Sequence, residues 1–156
     1  MNAKGEKKVV VSEGLSFPNG VRLTPDQSLV VVADSDSKWV WSYQVAPDGA
    51  LVNGQAFFRL ETPDDGVVGS RGDGMTFDTE GFLYVATALG LQICDPPGRV
   101  NAILNKPQPG SLSNVVFGGP QLDTLYITAG DKVFRRKIAR RGLMPWTTVK
   151  PPAPRL

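Results

Sequence analysis

The chain has 156 residues, a hydrophobic fraction of 41% and a formal net charge of +2. That length is enough for one domain with a real core, and that charge is too small to argue for a nucleic-acid partner. No apolar run approaches the ~20 residues of a membrane helix. No histidine occurs anywhere, which removes the commonest general base, the commonest metal ligand and the Ser-His-Asp triad.

The first residues, MNAKGEKKVVVSEG, carry charges but no long apolar stretch of the secretory kind. A single cysteine, Cys94, gives no internal disulfide framework. Both features point to a cytoplasmic protein. Helical periodicity is nearly absent. Short β-rich runs follow one another instead, at residues 9–11, 28–32, 39–45, 55–59, 82–86, 91–94, 124–128 and 132–136. Turn signals separate them: Pro47-Asp48-Gly49, Asn53-Gly54, Asp65-Gly66, Pro96-Pro97-Gly98 and Gly118-Gly119-Pro120. Many short strands with Gly and Pro turns predict an all-β fold.

Three segments repeat a pattern: "FPNGVRLTPDQSLVVVAD", "RGDGMTFDTEGFLYVAT" and "LSNVVFGGPQLDTLYITA". Each opens on a polar anchor, Asn19, Asp73 or Asn114. A short β-run follows, then a turn, then a more apolar strand. The anchors are spaced by 54 and 41 residues. Repeats of roughly 40–50 residues with about four strands each predict β-propeller blades. The expected organisation is three four-stranded antiparallel blades, around residues 15–60, 70–105 and 111–137. Residues 1–137 then form a partial propeller, half of a six-bladed one, and residues 138–156 an extended, proline-rich tail. In a propeller the innermost strand of each blade lines the central channel, so the three anchors should converge on its mouth. Hydrogen bonding of these anchors to a neighbouring blade's backbone is the competing explanation.

This placement answers a question raised by Arg71-Gly72-Asp73, which spells an adhesion tripeptide. Asp73 should sit where the chain starts an inner strand, not at an exposed loop tip. The basic cluster Lys132, Arg135, Arg136, Lys137, Arg140 and Arg141 reads as a solvated strand edge and turn. A nucleic-acid groove would want interleaved aromatics, and only Phe134 is near.

The order P-N-G, then D-G-M, then N-V-V-F-G-G resembles the second half of the gluconolactonase, senescence-marker-protein (regucalcin) and luciferin-regenerating-enzyme family. The likeness covers roughly residues 10–137. It implies a six-bladed propeller with one divalent cation in the channel, calcium first, with magnesium or zinc as the other candidates. It implies hydrolysis of a lactone, such as a sugar lactone. The family's Asn and Asp ligands match Asn19 and Asp73, and its general base matches Asp73. Asn114, at the third anchor, is a candidate for the substrate channel. An amide oxygen and a carboxylate are hard donors suited to calcium or magnesium. The family's third ligand is a Glu in its first blade, and no residue here matches it, so activity is expected to be impaired. The alternative is a non-catalytic binding or scaffold module with a vestigial metal site.

Three blades make an open arc with bare strand edges and apolar faces. Two copies closing into a six-bladed ring would bury them, so a homodimer is expected. Met144-Pro145-Trp146 could pack across a blade face, and the segment beyond Lys150 is expected to be disordered.

Overall fold

The computed structural model describes residues 5–64, 66 and 68–150. They form eleven antiparallel strands in three sheets, with no helix among the described residues. Blade 1 holds β1 (Pro18–Leu23), β2 (Leu29–Asp34), β3 (Trp39–Val45) and β4 (Leu51–Arg59). Blade 2 holds β5 (Met75–Phe77), β6 (Leu83–Ala86), β7 (Leu91–Cys94) and β8 (Val100–Leu104). Blade 3 holds β9 (Leu112–Gly118), β10 (Thr124–Ala129) and β11 (Lys132–Lys137). Each sheet runs in simple sequence order, the meander of a propeller blade.

Period-2 alternation explains how the blades stack. In β6, Leu83 and Val85 join a core with Val31, Val40, Phe58 and Leu60 of blade 1. Tyr84 and Ala86 point the other way, into a core with Val115, Phe117, Leu125 and Ile127 of blade 3. One four-residue strand therefore serves two interfaces. Aromatic edges meet at both: Phe58 on Phe77 at 6.3 Å, Tyr84 on Phe117 at 5.1 Å. Gln92 clasps blade 1 to blade 2. Its amide donates to the Glu61 carbonyl and accepts from the Glu61 N–H, both at 2.8 Å.

Three expectations are corrected. Blade 3 has three strands among the described residues, not four. After β11 the chain turns inward, where Gly142 N–H bonds to the Leu122 carbonyl and Thr79 N–H to the Arg141 carbonyl. It cannot also lie alongside β11. Residues 9–11 are not a strand, and Val9 and Val10 are exposed, because no described strand edge lies beside them. Asn53-Gly54 is not a turn but lies inside β4. Asn53 takes φ +53°, and the register against β3 slips between Ser42 and Gln44. The pair is thus a bulge opposite Tyr43, where a side chain at position 54 would overlap the Tyr43 ring. The strand β8 had no run of its own in the sequence pattern: VNAIL is apolar at four of five positions but short, without alternation, and mostly exposed.

The tail passes beneath the arc. The Val149 N–H donates to the Pro25 carbonyl at 2.7 Å, and the Gln27 amide reaches the Pro145 carbonyl at 3.5 Å. Residues 138–150 thus touch all three blades, while the Trp146 ring stays exposed. The expected disorder concerns residues 151–156, which lie outside the described residues. No helix among the described residues is long and apolar enough to cross a membrane.

Candidate functional site

The three anchors occupy adjoining inner strands. Asn19 lies in β1 and Asn114 in β9. Asp73 stands two residues before β5, yet the ladder already includes it: its N–H bonds to the Ala86 carbonyl at 2.9 Å. Two glycines let the strands approach. A side chain at Gly20 would overlap the Asp73 carbonyl oxygen, and one at Gly74 would overlap the Asn114 carboxamide. The Gly74 N–H also bonds to the Ser113 carbonyl at 3.0 Å. Backbone contact therefore runs from Asn19-Gly20 to Asp73-Gly74 to Asn114. The arc brings the three predicted residues side by side.

Their side chains are held differently. Asn19 donates from Nδ2 to Ser35 Oγ at 3.3 Å, and Ser35 Oγ donates to the Gly72 carbonyl at 2.6 Å. This uses the amide nitrogen and keeps the oxygen for another partner. Asn114 Oδ1 accepts from the Val115 N–H at 2.9 Å. Asp73 is half-buried, and burial pushes its carboxyl above the usual range, partly offset by the Gly74 N–H. No ion pair among the described residues engages it.

The tripeptide at 71–73 is bound into the seam between blades 1 and 2. Arg71 N–H bonds to the Ser35 carbonyl at 3.0 Å, Gly72 is buried, and Ser70 Oγ donates to the Ser37 carbonyl at 2.9 Å. This is not a loop tip. The Cys94 thiol is buried and pushed up to about 12, first by burial and then by the Asp95 charge. It is no nucleophile at neutral pH.

Sequence reasoning missed two supports. Asp34 accepts the Ser16 and Phe17 N–H groups, at 3.2 and 2.6 Å, fixing the approach to Asn19. Ser35 bridges Asn19 to the Asp73 strand. The ending V-A-D-S of β2 was the available signal, because the matching V-A-T-A after β6 puts Thr87 where Asp34 stands and Ala88 where Ser35 stands. A third feature carried no signal at all. Below the anchors, the ends of the inner strands and tail residues 143–147 enclose a cavity of about 370 Å³.

The donor set fits a hard cation in kind but not in number. It offers amide oxygens and one carboxylate, whereas calcium takes six to eight oxygens. Among the described residues no three or more Asp, Glu, Cys or His side chains gather as a metal cluster.

Residues 1–131 match the SMP-30/Gluconolactonase/LRE-like family model. A gluconolactonase from Zymomonas mobilis is 33% identical over 130 residues, covering 81% of this chain and 36% of the relative. The structure of a gluconolactonase from Xanthomonas campestris superposes with a TM-score of 0.63 at 27% identity, covering 79% of this chain and 38% of that one. A calcium-binding regucalcin from Agrobacterium tumefaciens shares the fold, with a TM-score of 0.68 at 18% identity, over 86% of this chain and 50% of that one. The chain thus spans between about a third and a half of these relatives' lengths.

Proposed function

We propose, from the premise that the chain belongs to the SMP-30/gluconolactonase/LRE-like family, that it is a lactone-hydrolysing propeller unit whose reaction centre is the Asp73 mouth. The observation that carries this is the close packing of the Asn19, Asp73 and Asn114 strands around one half-buried carboxyl. Asn19 Oδ1 and the Asp73 carboxylate would hold a divalent cation, calcium first, as the donor chemistry and the calcium-binding relative support. When bound, such an ion would polarise the ester carbonyl. Asp73 acts as general base. Its carboxylate takes a proton from the attacking water, the acyl–oxygen bond of the ring opens, and the proton ends on the alkoxide released. In the chain by itself burial raises the Asp73 carboxyl above the usual range, and a cation on the same carboxylate would oppose that shift. Asn114 offers a hydrogen bond to the substrate beside it.

One carboxylate among three anchors also supports the second reading, a non-catalytic module with a vestigial site. Calcium titration of the wild type and of Asp73→Ala, with a lactone assay on both, separates the two. Binding lost in Asp73→Ala together with turnover in the wild type supports the hydrolase. Binding without turnover favours the module, and equal binding by both proteins places the site elsewhere.

We further propose that a second copy closes the ring. Val133 on blade 3 pairs with Thr128, on the side of the sheet opposite Ile127 and so away from blade 2, and it stays exposed. On blade 1, Val45 lies on the Tyr43 side, away from blade 2, and is exposed too. Bare apolar faces at both ends of an arc favour a symmetric pair.

A further inference from the structure

The cavity beneath the anchors follows the same three inner strands. Val21, Thr76 and Val116 line it, two or three residues along from Asn19, Asp73 and Asn114. At about 3.3 Å per residue, it starts roughly 7–10 Å below the anchors. Its volume of about 370 Å³ lies within the range of small-molecule sites, roughly 300–1,000 Å³. The anchors themselves do not line it. Its wall is mostly apolar, with Leu23, Phe77, Phe117, Leu143 and Met144, and its polar members are Arg22, Thr24, Gln27, Thr76 and Thr147. The tail forms one side and is tied down at both ends, by Gly142 to Leu122 and by Val149 to Pro25. The wall is therefore part of the fold.

A substrate ring at the anchors has to send its substituent somewhere. Toward the cavity it meets mostly carbon. A sugar lactone would place several hydroxyls against that wall, and each one beyond the reach of Arg22, Gln27 or the threonines weakens binding. An alkyl or aryl group would instead lose water against Leu23, Phe77 and Met144. We infer that the cavity is the substituent pocket of the Asp73 site, and that the chain takes lactones bearing a short alkyl chain or a phenyl ring. The hydrolytic half of this rests on the lactonase reading; the binding half does not.

The test uses non-hydrolysed lactams and the full chain. Calorimetry compares an unsubstituted δ-lactam, its pentyl derivative and the polyhydroxylated gluconolactam. Each buried methylene adds about threefold or more to affinity. The pentyl derivative should therefore bind at least about tenfold tighter than the parent, and the gluconolactam no tighter than the parent. Val116→Asp and Met144→Asp should each erase the pentyl gain. Both positions are partly exposed, at 47% and 39%, so the variants should fold, as circular dichroism would verify. A gluconolactam that binds tighter than the pentyl lactam overturns the inference. So does a pentyl gain that survives both variants. A pentyl gain without hydrolysis of the matching lactone, with calcium present, upholds the pocket and refutes the lactonase reading. Hydrolysis of a sugar lactone without a pentyl gain does the reverse.

Discussion

Blade 2 and the two blades beside it are built from the same repeat, yet they bury different amounts of it. In β6, Leu83, Tyr84, Val85 and Ala86 are all buried. In β10 of blade 3, buried and half-buried residues alternate. The difference is the number of neighbours. Blade 2 is covered on both faces and reads as a continuous apolar run, whereas blade 3, covered on one face, alternates. Blade 1 lies between, its β2 buried from Val31 to Asp34 but only half-buried at Leu29 and Val30. Turns follow the same rule. Asp78 accepts the Glu80 and Phe82 N–H groups, both at 2.9 Å, and the Tyr84 hydroxyl at 3.1 Å. It is buried, with Arg140 against it at 3.4 Å. Asp26 of blade 1 does the same for Thr24 and Ser28 at the open surface. The anchors differ likewise: Asp73 is half-buried, while Asn19 and Asn114 are exposed.

The largest effect should come from deleting core volume in the middle blade. Leu83→Ala should cost about 3–4 kcal/mol and Ile127→Ala, on a flanking blade, about 2 kcal/mol, both read by urea unfolding. Equal costs would mean that blade 2 is no better covered than blade 3. Next come the turn aspartates. Asp78→Ala leaves buried donors unpaired and should cost about 2–3 kcal/mol, and Asp26→Ala about 1 kcal/mol or less. Their pH signatures should be opposite. Burial raises the Asp78 carboxyl despite its hydrogen bonds and the Arg140 charge, so its folded value lies above 3.8. In that window the folded state holds the extra proton, and stability falls as pH rises through it. For Asp26, partial burial pushes the carboxyl up, but the hydrogen bonds from Thr24 and Ser28 outweigh it, and the net value is lowered below 3.8. Its contribution is present above that value and is lost as pH falls through the folded one.

The same coverage rule decides what could be read in advance. Repeated anchors and apolar second strands were legible because each blade restates them, and Val31, Val85 and Ile127 are buried as their runs imply. The side-by-side approach of Asn19, Asp73 and Asn114 was legible for that reason too. The outer strand β8 was not, because its five residues, VNAIL, are mostly exposed and lack the in–out alternation that marks a half-buried strand. Asn53-Gly54 gave the signal of a tight turn because a bulge uses the same left-handed backbone. The cavity was invisible because its fourth wall, residues 143–147, lies outside the repeat. Asp78 looked like an ordinary turn residue. Only the fold reveals that Arg140 and Tyr84 converge on it.

Asp73 carries the comparison into the site. Its raised carboxyl means that its charge weakens the folded state above the window that starts at 3.8. Asp73→Asn should therefore raise the melting temperature at pH 7 and leave it unchanged near pH 3, where both states are protonated. The same variant should lose calcium binding. A melting temperature that rises equally at both pH values would assign the gain to packing, not to the charge.

The smallest expected change in stability tests the bare end of the arc. Val133 is 68% exposed on the edge strand β11. In a single chain Val133→Glu removes no packed contact, and its unfolding free energy should move by no more than about 0.5 kcal/mol. In a closed ring the same residue would meet the far face of blade 1 from the second copy, and a buried, unpaired carboxylate there is costly. Light scattering should then find a dimer in the wild type and a monomer in Val133→Glu, with circular dichroism unchanged. Middle-blade variants should behave in the opposite sense: Leu83→Ala should weaken the fold without shifting the mass of what remains folded. A wild type that stays monomeric at micromolar concentration would remove the ring, and the apolar ends of blades 1 and 3 would then be surfaces that this chain leaves bare.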